Sequence, residues 1–260
     1  MISRFKWYII IGIIILAAVV YYISCSVAAV NHAVNDFDKA YFASRPQKES
    51  DTIDACAIPG YVEKLRKRAY LNAQDRMATS DSVGVCINMR DSIISLKIKG
   101  VEVRRMKIRA AVVSPFFKRA NQEALFSALS TPLIVTSMDA TLEKDPLKVK
   151  VAPKDTLEFQ ASLQEKPDTS DFEAVFYKLE TDKNIQLIVA QAEDTIKTDR
   201  KVQFYFDFND RLTHAKADVK AITSFTTPDY TPFIKIWVPK NDAKIIFYAI
   251  PTRGLITLTL

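Results

Sequence analysis

The chain is poor in the residues on which most cofactor and metal chemistry depends. Among its 260 residues there are 5 Gly, at 12, 60, 84, 100 and 254, and no two stand close enough for a dinucleotide fingerprint or a phosphate-binding loop. The 2 His (His32, His214) and 3 Cys (Cys25, Cys56, Cys86) include no Cys-x-x-Cys pair, so no cluster reaches the ligand count of an ordinary zinc site. No Gly-x-Ser-x-Gly segment offers a serine nucleophile. These absences lead to the expectation of a protein without cofactor or metal. The overall balance, 48% apolar, 25% charged and 10% aromatic, excludes disordered, collagen-like and coiled-coil classes.

One long uncharged run stands out. Trp7 to Val30 is 24 residues without a charge, about 36 Å as a helix, enough for a hydrocarbon core of about 30 Å. Arg4 and Lys6 precede it, whereas Asp36 and Asp38 follow. The positive-inside rule then predicts a cytoplasmic tip and anchor over 1–30, with the bulk of the chain extracytoplasmic, in the periplasm of a bacterial inner-membrane protein. A cleaved signal peptide is the competing reading, but its apolar region is normally about 7–15 residues and ends at small-x-small. Cys25, in Tyr22-Ile23-Ser24-Cys25-Ser26, has the outline of a lipidation box with a bulky Tyr22 where an aliphatic residue is usual. Lipidation and cleavage are left open.

The net charge of +6 falls to +4 once Arg4 and Lys6 are set aside. The remaining charge is well mixed, so Lys64-Leu65-Arg66-Lys67-Arg68 reads as a solvated helix face and no nucleic-acid partner is expected. Cys56 and Cys86 fall in a compartment that permits disulfides, and one bridge between them is possible.

Residues 31–82 read as a membrane-proximal linker and an amphipathic helix. The linker centres on the polar stretch 45–51, and the helix starts near Pro59-Gly60 with a stripe at Val62, Leu65, Ala69, Ala73 and Met77. From 83 to 260 the pattern turns to period two. Val83, Val85 and Ile87, then Ile94, Leu96 and Ile98, a Lys99-Gly100 turn, and Val101, Val103, Met106 and Ile108 predict paired strands. A helix is predicted over 118–129, and further strands over 133–136, 147–151, 157–163, 172–179, 185–190, 202–208, 215–223 and 234–238. A short helix over 241–249, capped by Asn241 or Asp242, and a terminal strand over 255–260 complete a β-rich α+β domain.

The two ends of this domain resemble a known family. The opening, Val85-Cys86-Ile87-Asn88-Met89-Arg90-Asp91-Ser92-Ile93-Ile94-Ser95-Leu96-Lys97-Ile98-Lys99-Gly100-Val101, resembles the first hairpin of L,D-transpeptidase catalytic domains. The close, Val238-Pro239-Lys240-Asn241-Asp242-Ala243 through Phe247, Pro251 and Leu255-Ile256-Thr257-Leu258, is similar to that family's final helix, turn and strand. The resemblance covers about 50 residues and implies a β-sandwich-type domain acting on peptidoglycan stem peptides through a Cys in Ser-His-Gly-Cys-x-Arg. In the matching stretch Phe233 replaces the His, Ile234 the Gly, Lys235 the Cys and Trp237 the Arg. The second His of the family, expected near 185–188, is also missing. The resemblance therefore implies a pseudoenzyme, because a thiolate needs a thiol and a base or positive field to ionise it.

Aromatic and Pro residues gather where the family's substrate cleft would lie. Tyr230, Phe233, Lys235 and Trp237 are the candidate binding cleft, with Phe233 and Trp237 filling a vacated site as core the competing reading. Asp207 and Asp210 are open to reading either as an acid–base pair or as an Asp-rich hairpin turn, and His214 as a surface residue linking two strands. The expectation is a membrane-anchored, non-catalytic module that binds or scaffolds in the cell envelope, toward peptidoglycan or an envelope protein complex. The alternatives are an envelope enzyme working through carboxylates and a structural subunit of a secretion or motility machine.

Overall fold

The computed structural model describes residues 2–42, 59–144, 174–192, 197–224 and 226–260. Its first element, α1 (Ile2–Phe42), is one helix of 41 residues that runs without a break past residue 30, about 62 Å at the ordinary rise. Among the described residues no helix is long and apolar enough to cross a membrane. The side chains at 8–11, 14, 15 and 18 lie outside that description, whereas the sequence of the same helix is free of charge from Trp7 to Val30.

The last turns of α1 belong to the main core. Val34 and Phe37 are buried in it and Tyr41 packs against it, a spacing of three and four residues that lines one helix face. The Phe37 ring meets Phe116 edge-on at 5.2 Å and Tyr41 at 4.6 Å. Phe116 lies on α3 (Phe116–Arg119), and α4 (Gln122–Leu129) follows. A single helix was expected over 118–129. Ala120, extended at φ −60° and ψ 145°, breaks it, and Asn121 caps α4 by accepting from the backbone N–H of Glu123 and Ala124. The backbone N–H of Asn121 donates to Asp38 at 3.1 Å, and Arg119 donates to Asn31 at 3.1 Å, so polar bonds flank the aromatic joint.

Helix α2 (Tyr61–Ala78) carries the expected stripe, with Ala69, Ala73 and Met77 buried against α4 and the sheet. It ends over Gly84, where a Cβ would collide with the Met77 thioether, and glycine lets the strand begin there.

The strands are β1 (Gly84–Asn88), β2 (Ile93–Ile98), β3 (Val101–Lys107), β4 (Ala110–Val113), β5 (Leu133–Ala140), β6 (Phe176–Thr181), β7 (Gln186–Gln191), β8 (Phe233–Val238) and β9 (Leu255–Thr259). They form one mixed nine-stranded sheet in the order β3-β2-β1-β9-β5-β6-β7-β8-β4. The β1/β9 and β7/β8 neighbours are parallel and the others antiparallel. The fold is α+β as expected. The strands follow one continuous hydrogen-bonded order. The reason lies in β5, whose first residues, Leu133 and Ile134, pair with β9 while Val135 and Ser137–Ala140 pair with β6. The β2–β3 hairpin turns where expected, on Lys99 and Gly100 at φ 49° and 81°, the left-handed pair that suits a two-residue turn.

Two expected strands are corrected. Residues 202–208 and 215–223 lie in one helix, α5 (Lys197–Thr223), the crossover between parallel β7 and β8. Helix α6 (Lys240–Ala249) has Pro239 at its N-cap and no side-chain cap bond, so neither Asn241 nor Asp242 caps it. The strands expected over 147–151 and 157–163 lie outside the described residues.

Alternation along β6 to β8 divides the sheet into two faces. Tyr177, Leu179, Val189, Ile234 and Ile236 enter the main core with Ala243, Ile246 and Phe247 of α6. Tyr177 is fully buried, donates to the carbonyl of Ala243 at 3.3 Å and has its phenol pushed well above its ordinary pKa by burial. The turn after β6 sends Lys183 to the carbonyls of Ala128 and Thr131 at the end of α4, where burial pulls its ammonium down to about 8. The opposite face carries Phe176, Lys178, Phe233, Lys235 and Trp237, and α5 lies across it.

Candidate functional site

Helix α5 is fixed to the sheet by residues spaced three and four apart. Asp199, 2% exposed in the first turn, accepts from Gln191 Nε2 at 2.9 Å, and Gln191 Oε1 accepts from the backbone N–H of Val175 at 2.9 Å. An acid in the first turn also suits the helix dipole. Val202 and Phe206 then pack, as Trp237 does, against the buried cluster of Ala174, Phe176 and Ala190. At the next residue, both oxygens of Asp207 accept from Lys235 Nζ, at 2.9 and 3.0 Å. Asp210 accepts from Lys178 Nζ at 2.8 Å, with His214 Nε2 at 3.7 Å.

Beyond these pairs the face opens into a cavity of about 590 Å³, lined in part by Gln186 and Ile188 of β7. Tyr22, Ser26 and Ala29 of α1 form one wall, Asp207, Asp210, His214 and Asp218 of α5 another, and Tyr230, Phe233 and Lys235 the third. Burial raises the Asp218 carboxyl above its ordinary pKa, with His214 opposing.

Three of the four cleft residues expected from sequence therefore meet at one cavity. Trp237, the fourth, does not line it. Its side chain is half-buried against Ala174, Phe176 and Ala190, with Lys235 Nζ 5.3 Å from the ring centroid, so Trp237 acts by packing. The carboxylates depart from both readings given to them. Asp207 and Asp210 sit in neither a hairpin turn nor a free acid–base pair, because each is held on an ammonium of the sheet below. His214 stands on the same helix, not between strands. Cys86 is 1% exposed on β1, where burial pushes its thiol up and away from nucleophilic use. Its possible partner Cys56 lies outside the described residues. Among the described residues no group of three or more His, Cys, Asp or Glu is gathered as a metal site.

No family model, curated protein or solved structure matches this chain. The site is therefore read from its own geometry. Sequence reasoning missed Lys178, which holds Asp210, and Arg211, which also lines the cavity, and it separated Asp207 and Asp210 from Lys235. The available signal was two acids three residues apart in a stretch with no Gly or Pro from 197 to 223, a helical spacing.

The Lys235–Asp207 pair gives a direct test of how α5 is held. Its side chains are 16% and 31% exposed, so the pair is more deeply placed than an ordinary surface bridge. A double-mutant cycle of Lys235→Met and Asp207→Asn, read by urea unfolding of the full chain in detergent, is expected to give a coupling of about 1–2 kcal/mol. A coupling near zero shows that α5 is held by its apolar contacts alone.

Proposed function

We propose that this chain is a single-pass membrane-anchored envelope protein, with its tip cytoplasmic and its α+β domain extracytoplasmic. The domain is a non-catalytic binding or scaffolding module, related in its terminal motifs to the L,D-transpeptidase domain but without that family's thiolate chemistry. The observation that carries this reading is the continuity of α1. A charge-free segment and a core-packed segment are one helix, so the anchor passes its orientation to the domain through Val34, Phe37 and Tyr41. A tether built for reach would instead be flexible. The rigid joint suits a module that presents a surface at fixed height above a bilayer.

The cavity supports the binding half of the reading. Its walls combine aromatic rings, carboxylates and a lysine, the mixture that takes a peptide or glycan strand bearing both charges and apolar faces. The carboxylate-enzyme reading is not favoured, since Asp207 and Asp210 are committed to lysines.

The test is co-sedimentation of the detergent-solubilised full chain with isolated cell-wall sacculi, at low and high salt. Phe233→Ala, on the cavity wall, is expected to weaken binding about tenfold while leaving thermal unfolding nearly unchanged. Absence of wild-type binding, or equal binding by Phe233→Ala, overturns the cavity as a wall-binding site. Turnover of stem peptides by the wild type that is lost in Asp207→Asn overturns the non-catalytic reading.

A further inference from the structure

The outward side of α5 has no partner within the described domain. Phe204, Tyr205, Phe208 and Val219 are 63%, 67%, 51% and 55% exposed. With Leu212 they make one stripe along a single helix face, at steps of three, four and seven residues from Tyr205. The aromatics are ordered among themselves, with Phe204 stacked on Phe208 at 5.8 Å and 6.0 Å from Tyr205. Charge on α5 is segregated in the same direction. Its acids, Asp199, Asp207, Asp210 and Asp218, are buried or half-buried toward the sheet and cavity, whereas Lys201, Arg211, Lys216 and Lys220 are exposed.

The cavity fixes where this surface sits. It joins Tyr22, Ser26 and Ala29, in the last turns of the charge-free segment, to Arg211, His214, Ala215 and Asp218. The C-terminal half of α5 therefore faces the last turns of the charge-free segment of α1 across the cavity.

We infer that α5 is an interfacial helix that docks its Tyr205–Phe208–Leu212–Val219 face on an anionic phospholipid surface. The inference rests on the anchor reading above. Aromatic and aliphatic residues on one side with lysine and arginine beside them are the composition that settles at the headgroup boundary, and anionic lipid supplies the charge that α5 does not itself expose. A second copy of the chain is a poorer occupant, because two such faces bring like charges together. Docking would give the domain two points of attachment, α1 and α5, and so fix the mouth of the cavity relative to the membrane.

The test uses the full chain with Cys25→Ser and Cys56→Ser, leaving buried Cys86, and an environment-sensitive fluorophore on Phe208→Cys. The protein is placed in nanodiscs of phosphatidylcholine with and without phosphatidylglycerol, carrying doxyl-labelled lipid. Docking predicts that doxyl lipid quenches the label in the anionic discs and that quenching falls at high salt as screening shortens. A Lys201→Glu, Lys216→Glu, Lys220→Glu variant that unfolds at the wild-type temperature should lose most of that quenching. A label that stays open to aqueous iodide and untouched by doxyl lipid, in protein that co-elutes with the discs, overturns the docking but leaves the anchor. Full-length protein that elutes apart from the discs overturns the anchor reading itself. Crosslinking through position 208, with no lipid quenching, identifies a second copy as the occupant and also overturns the inference.

Discussion

Phe37→Ala is expected to cost about 3–5 kcal/mol of stability, because it removes a buried ring from a site where the neighbouring aromatics cannot close up. The ring is 9% exposed and meets Phe116 at 5.2 Å and Tyr41 at 4.6 Å. The effect should be local as well as large. Residues 31–42 touch the domain chiefly through α3 and α4, while β6 to β8 and α6 share the same core without extensive contact with α1. Hydrogen exchange on the full chain in nanodiscs should therefore show faster exchange over 31–42 and retained protection in β6 to β8. Uniform loss of protection would mean that α1 is a structural requirement of the entire domain. Unchanged exchange over 31–42 would mean that the Asp38 and Asn31 bonds, not the aromatic joint, hold the anchor in place.

Asp199→Ala is the second large effect. Asp199 is the most buried acid of α5, and its bond from Gln191 joins the first turn of the helix to the end of β7. Removing a buried, charged acceptor is expected to cost about 2–3 kcal/mol and to unwind the first turns of α5 before the rest of the domain. Asp199→Asn keeps an acceptor oxygen and should lose clearly less. Urea unfolding of the full chain gives the totals, and exchange over 197–206 locates the opening. Equal losses for Ala and Asn would show that the charge, acting on the helix dipole, matters more than the hydrogen bond.

Helix α5 shows why part of this protein is not legible in its sequence. In Val202-Gln203-Phe204-Tyr205-Phe206-Asp207-Phe208 the large apolar residues fall at every second position, and both phenylalanine and valine favour strands. The same letters also satisfy a helix. Val202 and Phe206 fall on the inner face with Asp199 and Asp210, while Phe204 and Phe208 fall on the outer one. A short window cannot separate these periods, because an apolar residue on either helix face counts toward an alternating pattern. The parallel pairing of β7 with β8 requires a crossover there, and that constraint comes from partners outside the segment.

The candidate site was half legible for the same reason. Tyr230, Phe233, Lys235 and Trp237 stand together in sequence, so their proximity needed no fold. Their separation into three cavity residues and one packing residue did need it, since Trp237 does not line the cavity and packs with Ala174, Phe176 and Ala190. Lys178, on a different strand, joins the site only because β6, β7 and β8 are neighbours.

By itself the sequence determined the features that depend on residues close along the chain. The uncharged stretch within α1, the stripe of α2, the Lys99-Gly100 turn and the short helix between β8 and β9 are of this kind. They follow from backbone preferences and from a single periodicity read over one segment. Only the tertiary structure decided the nine-strand order, the helical state of α5, the Lys235–Asp207 and Lys178–Asp210 pairs, and the burial of the end of α1. Each of these depends on which distant segment lies opposite, and burial and charge pairing select that partner only when the whole chain is packed.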